Sequence, residues 1–377
     1  MSINTASVPL PAWIEVVVIP ILNVLMALFF AGLIMLAIGV DPIEALGLMI
    51  RGALGDDYAL GYTLYYTTNF IFTGLAVAVA FHASLFNIGG EGQAYIGGLG
   101  VAVVFLLLDR FLPAILLIPI GIAAAGLFGA AWAFIPAWLQ AYRGSHIVIT
   151  TIMFNFIAAS LMVYLLVNVL IQPGQMSPES RQFDPSGWMP SMKAALAPLG
   201  IDVVKTPLNL SLVFALICCV LVWFYIWRTR WGYELRTAGF SEPAARYAGI
   251  RPRGVIISAM CLSGALAGFV AVNEIMGVHH RLLLNFTAGY GFTGIAVALM
   301  GRNHPVGIVM ASLLFGVLYQ GGAELAFEIP TITREMVVAI QGLIILFCGA
   351  LALMLRPWVV RIYLAFRPVD SLEQEAT

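Results

Sequence analysis

The sequence predicts an all-α membrane protein of about ten transmembrane helices, arranged as two five-helix pseudo-repeats with broken helices near the centre. Three observations carry this. Of 377 residues, 61% are apolar and only 10% charged, where soluble domains carry about 25% charged residues. The apolar residues fall in runs close to the ~20 residues that a helix needs to cross the hydrocarbon core. Two of those runs are led by an Asn and clustered glycines, at Asn87 and at Asn285.

Cutting the chain at charges, prolines and glycine clusters leaves ten segments: 15–40, 61–84, 90–108, 112–140, 146–171, 208–228, 254–276, 284–300, 304–320 and 334–356. No Lys or Arg precedes the first, which is too long for a signal-peptide core, so it is expected to stay and anchor the chain. The third follows Asn87-Ile88-Gly89-Gly90-Glu91-Gly92-Gln93, and the eighth contains Asn285-Phe286-Thr287-Ala288-Gly289-Tyr290-Gly291. Glycines this dense weaken a helix, and freed backbone at membrane depth is tolerated only against protein or a watery cavity. If these two segments correspond, so do the first and sixth, and five spans per half make an inverted repeat with its site between the breaks. In the fourth, Ala123 to Ala125, Gly126 and Gly129 read instead as close helix packing. Residues 1–377 thus form one polytopic membrane domain with two long connectors, 172–207 and 229–253.

Orientation follows from the cations, because basic loops stay cytoplasmic. Arg228, Arg230, Arg236, Arg246, Arg251 and Arg253 crowd the 229–253 connector and its edge, and Arg356, Arg361 and Arg367 lie at and beyond the end of the last segment. An even span count then puts both termini inside and makes 172–207 a periplasmic loop. Acids such as Asp41, Glu44, Asp56, Asp57 and Asp109 fall on that opposite side. A net charge of -1 offers no basic field for nucleic acid. Cys218, Cys219, Cys261 and Cys348 lie in apolar runs without metal-ligand spacing, so they read as small core residues. No cofactor and no metal is expected.

Ionisable groups inside spans need a reason. Glu91 serves either as a carboxylate capping N–H groups at the helix start or as part of a pathway or gate, whereas Glu274, near the outer interface, reads as a solvated helix end. Asn69, Asn155 and Gln341 could bind solute or tie helices together, and His82 and His146 sit near span ends as solvated groups. The candidate substrate pathway comprises Asn87, Glu91, Gln93, Asn155, Asn285, Tyr290 and Phe292. No Lys or Arg occupies a span interior, so the solute is expected to be neutral or zwitterionic, held by hydrogen bonds and ring stacking.

The 229–253 connector contains its own helix signals. Ser241 suits an N-cap, Glu242 and Pro243 the first turn, and Gly249 a stop. Its Ala244, Ala245 and Ala248 would leave a smooth face flanked by Arg246 and Tyr247, suited to a partner's groove, the alternative being a membrane-surface helix.

The stretch from Glu234 to Ile250, Phe86 to Gln93, and Ser263-Gly264-Ala265-Leu266-Ala267-Gly268 together resemble permease subunits of bacterial ABC importers. Within the branched-chain amino acid and ribose permease superfamily, the Asn-Ile-Gly-Gly-Glu-Gly-Gln motif is most similar to the simple sugar and nucleoside branch. The resemblance covers about residues 60 to 350. It implies an inner-membrane permease whose 241–247 helix couples to a separate ATPase, with a second permease subunit and an extracytoplasmic solute-binding protein as partners. A P-loop lysine follows glycine, and neither Lys193 nor Lys205 does, so ATP would be hydrolysed by another chain. The competing class is an ion- or proton-coupled secondary transporter using Glu91 or Glu274.

Overall fold

A computed structural model describes residues 11, 13–14, 18–172, 174–346 and 352–365. These residues are nearly all helical, with isolated bridges in place of strands. Among them, seven helices are long and apolar enough to cross a membrane, or eight if one sharply bent pair counts as a single span. The ten expected spans are therefore matched only in part, and where a described segment departs from its expected span the cause is local.

The described residues up to Leu48 and from Gly322 onward form one compact unit, and Met49–Gly321 the other. In the first, α1 (Ile19–Ala37) packs against α14 (Arg334–Ile345) and α15 (Ala352–Ala365). After α1 the chain turns at Gly39, φ +80°, and bends through 118° into α2 (Pro42–Leu54). α2 lies between the expected spans 15–40 and 61–84, and Pro42 at its start and Glu44 in its first turn are its helix-start signals. Of the expected 334–356 span, α14 accounts for the first part; residues 347–351, with Cys348, lie outside the described residues, as does Arg367.

The second unit is built around α3 (Asp57–His82), started by the Asp56 carboxylate accepting from Ala59 N at 2.7 Å and buried from Phe70 to Ala80. Against it pack α4 (Gly90–Leu108), α8 (Ser211–Arg228), α11 (Pro252–Gly268) and α13 (Pro305–Glu328), while α5 (Ala114–Arg143) and α6 (Ile147–Asn168) pack on α4. A seam of small residues joins α5 to α11. A Cβ on Gly129 would run into the Gly264 carbonyl, and one on Gly268 into that of Ala125. In a membrane, where lipid is as apolar as Leu, such close backbone approach is what drives helices together.

The segment expected at 284–300 is helical only from Tyr290 to Met300, as α12. Eleven residues rise about 16 Å, roughly half the ~30 Å hydrocarbon core, so α12 is a half-helix rather than a span. Asn285, Ala288 and Gly289 take positive φ of 57°, 43° and 81°, which breaks the helix ahead of it. Just before that break, Val272–His279 form a π-helix after α11.

The described residues of both long connectors pack against the unit. In 172–207, which includes α7 (Met192–Leu196), Arg181 grips Asp109 with two hydrogen bonds of 2.8 Å, the Asp184 amide donates to the same carboxylate at 3.0 Å, and Arg281 pairs with Glu179 at 2.8 Å. Burial alone would raise the Asp109 carboxyl, but these donors and Arg110 outweigh it and hold it below the usual carboxylate range. The 229–253 connector folds into α9 (Arg230–Phe240) and α10 (Glu242–Tyr247).

Candidate functional site

The two glycine-rich breaks meet. Gly90, at the start of α4, lies against the Gly291 backbone, and a Cβ on Gly291 would collide with the backbone of Glu91. Only glycine permits that approach at position 291. Glu91 then reaches across: its Oε1 accepts from Thr287 Oγ1 at 2.6 Å and from Gly289 N at 3.0 Å, and its Oε2 accepts from Gly291 N at 2.8 Å. The carboxylate therefore caps the half-helix α12, some two hundred residues away in sequence, and its charge faces the positive end of that helix dipole.

Asn155 of α6 holds the other break, accepting from Gly92 N and donating to the Ile88 carbonyl, both at 2.9 Å. Tyr95 does the same for the second, its hydroxyl donating to Asn285 Oδ1 at 2.8 Å and accepting from Asn285 N at 2.6 Å, with its ring stacked on Phe286 at 5.4 Å. Between them lies a cavity of about 230 Å³ lined by Glu91, Gly92, Tyr95, Ile152, Asn155, Phe156, Ala159, Asn285 and Phe292. Phe156 and Phe292 rim it with 65% and 48% of their surface exposed.

Of the seven pathway candidates, Glu91, Asn155, Asn285 and Phe292 line this cavity. Asn87 and Gln93 do not; they are buried and bonded to each other, and Asn87 also donates to Ser263 Oγ at 2.8 Å, tying the first break to α11. Tyr290 is buried in an aromatic group with Tyr66, Phe70 and Tyr319.

Glu274 is not a solvated helix end. It is 1% exposed, its Oε1 accepting from Tyr65 Oη at 2.6 Å and Asn69 Nδ2 at 2.5 Å, with His279 Nε2 at 3.3 Å from Oε2. Asn273 beside it bonds Asn69, Asn209 and Ser211. The π-helix causes this, because its wider turn points Asn273 and Glu274 toward α3. Asn69 signalled the cluster in the sequence, but only the packing of α3 identifies its partners.

In α10, Ser241 Oγ accepts from Ala244 N at 3.4 Å and Gly249 ends the helix region at φ +77°. The smooth alanine face needs correction. Ala245 is fully buried, whereas Ala244, Tyr247 and Ala248 are exposed, Tyr247 completely. Residues 244, 247 and 248 follow the i, i+3, i+4 stripe of a helix, and Ala245, about a quarter-turn round from its centre, is the one that faces inward. Glu242 and Arg246 form an i, i+4 ion pair at 2.5 Å along its exposed flank.

Among the described residues, no group of three or more His, Cys, Asp or Glu could hold a metal. Cys218 and Cys219 are buried in α8 and Cys261 is partly buried in α11.

Residues 59–349 match the family model described as branched-chain amino acid transport system / permease component. The chain is 36% identical over 340 residues to the glucose ABC transporter permease protein TsgB13 of Haloferax volcanii, covering 89% of this chain and 88% of that one. It is 34% identical over 336 residues to the guanosine ABC transporter permease protein NupP of Bacillus subtilis, covering 88% and 92%. It is 32% identical over 340 residues to the nucleoside ABC transporter permease protein NupB of Lactococcus lactis subsp. cremoris, covering 88% and 90%.

Proposed function

The chain belongs to the branched-chain amino acid transport system permease component family, and from that membership we propose that it carries a neutral nucleoside or simple sugar through the inner (plasma) membrane. It is a multi-pass membrane permease of an ABC transporter, which sets aside the ion-coupled secondary transporter. The observation that carries the solute reading is the 230 Å³ cavity beside the joined breaks. Its walls combine the faces of Tyr95, Phe156 and Phe292 with the amide of Asn155 and the carboxylate of Glu91, and no Lys or Arg lines it. An aromatic-walled pocket suits a base or sugar ring, while a phosphate would meet an anion with no cation to offset its desolvation.

The partners follow from that family membership. Energy comes from a separate ATPase, which receives the exposed stripe of α10, with both termini and the 229–253 connector cytoplasmic. A second permease covers the open side of the cavity between Phe156 and Phe292, because polar groups at membrane depth do not face lipid. In each of two organisms, two relatives are named for the same solute: the guanosine permease proteins NupP and NupQ of Bacillus subtilis, and the glucose permease protein TsgB13 and the putative one TsgC13 of Haloferax volcanii. A binding protein delivers the solute to the face that carries the 172–207 connector. The two joined breaks form the centre of an inverted repeat in which α4 and α12 are the equivalent elements.

The test is uptake of labelled guanosine and labelled glucose by vesicles containing this chain with its ATPase and second permease. One of the two is taken up with ATP, and unlabelled nucleosides or sugars compete while a nucleoside monophosphate does not. Equal competition by the monophosphate overturns the neutral-solute reading.

A further inference from the structure

A second cavity, of about 740 Å³, opens between α8, α9 and the start of α11. Its mouth holds Arg230, Glu234 and Arg251, with Trp231 exposed at the edge; its wall continues down α11 through Val255 and Ser258 to Leu262. From Arg251 to Leu262 is eleven residues, about 16 Å of helix, so the cavity runs from a charged rim along α11 past Ser258 to Leu262. Arg230 pairs with Glu234 at 2.9 Å, leaving Arg251 as net positive charge at the rim. The neighbouring Arg228 stacks over Trp223, and Trp and Arg gather in this way at the membrane–water interface.

We propose that this cavity seats an anionic phospholipid, its headgroup phosphate at Arg251 and Arg230 and an acyl chain along Val255, Ser258 and Leu262. The shared chemistry is a phosphate anion, and the reach of the cavity along α11 and the Val255 and Leu262 side chains on its wall favour a lipid over a soluble one. They also favour it over a segment of the ATPase, which meets the chain at its surface. Gly249 and Ile250 line the same cavity and lead directly out of α10, with Ile250 N donating to the Ala245 carbonyl at 2.9 Å. A seated lipid therefore braces the helix proposed above to receive the ATPase, and membrane charge regulates coupling; this consequence rests on that docking role.

The assembled transporter is reconstituted in vesicles of equal phosphatidylglycerol and phosphatidylcholine, and retained lipid is read by native mass spectrometry. Phosphatidylglycerol is retained preferentially. Arg251→Gln lowers that preference about fivefold, the general worth of one cationic side chain at an anionic leaflet. Leu262→Trp, which fills the cavity without altering charge, lowers it as well. Equal retention by parent and both variants overturns the site. So does displacement by excess inorganic phosphate, which marks a soluble anion, or capture of the ATPase subunit by a photo-crosslinker at Ser258. Phosphatidylglycerol is further expected to stimulate ATP hydrolysis in the parent and not in Leu262→Trp. Retention without that stimulation supports the lipid site and removes the docking role of α10 instead.

Discussion

Glu91→Gln separates a cap from a passive helix-start acid. The change keeps one oxygen for Thr287 and Gly289 but sets an NH₂ group against the Gly291 N–H, which the native Oε2 meets at 2.8 Å. An unpaired buried donor costs about 1–3 kcal/mol, and the anion lost from the N-terminus of α12 adds about 1, so the break between Gly289 and Gly291 loosens by about 3 kcal/mol. Since every 1.4 kcal/mol is tenfold, local opening becomes roughly a hundredfold more frequent. Hydrogen exchange of the 287–292 amides reads that opening directly, and ATP-driven uptake in vesicles reads its consequence. Exchange should accelerate and uptake fall, while the subunits still copurify, because the change lies at the breaks and away from α10. Parental exchange together with parental uptake would refute the reasoning, since no capped half-helix could lose its charged acceptor so cheaply.

The other expectations concern the seam, the connectors and α10. Gly264→Leu should cost about 1–3 kcal/mol or more by driving α5 from α11, seen as a lower unfolding midpoint in detergent; an unchanged midpoint counts against the small-residue seam. Arg181→Ala leaves the buried Asp109 carboxylate without its cation and should cost about 3 kcal/mol, read as faster protease nicking within 172–207. Because the Asp109 carboxyl is held below its usual range, its stabilisation is complete above the unfolded value of about 3.9 and is lost as pH falls through the lower folded one. Nicking should therefore rise in that acid window, and Asp109→Asn should flatten the pH dependence. Ala244→Trp, on the exposed stripe, should leave the fold intact and abolish solute-stimulated ATP hydrolysis, whereas Ala245→Trp should destabilise the protein itself; the reverse pattern would place the docking face on the other side of α10.

How much was legible varies by residue. The Asn-led glycine clusters marked both breaks because a run of glycines in an apolar segment has few explanations in a membrane. Ser241, Pro243 and Gly249 marked α10 because capping acts within one turn. Glu274 misled for the same local reason: next to a span end it resembles a solvated acid, and nothing nearby announces that a π-helix turns it toward Tyr65 and Asn69. The 284–300 segment misled because composition measures apolarity, whereas the positive φ values at Asn285, Ala288 and Gly289 decide where the helix begins.

By itself the sequence determined that this chain is helical, membrane-embedded and short of cations in its spans, and it marked the two breaks. Those properties follow from transfer free energies and local propensities, which sum residue by residue along the chain. Only the tertiary structure decided that Glu91 caps α12, that Asn155 and Tyr95 each clamp a break, that Ala245 turns inward and that Asn87 bonds Gln93 and Ser263. Each of these depends on which groups come within about 3 Å after folding. A carboxylate's partner nearly two hundred residues away leaves no trace in the composition around it.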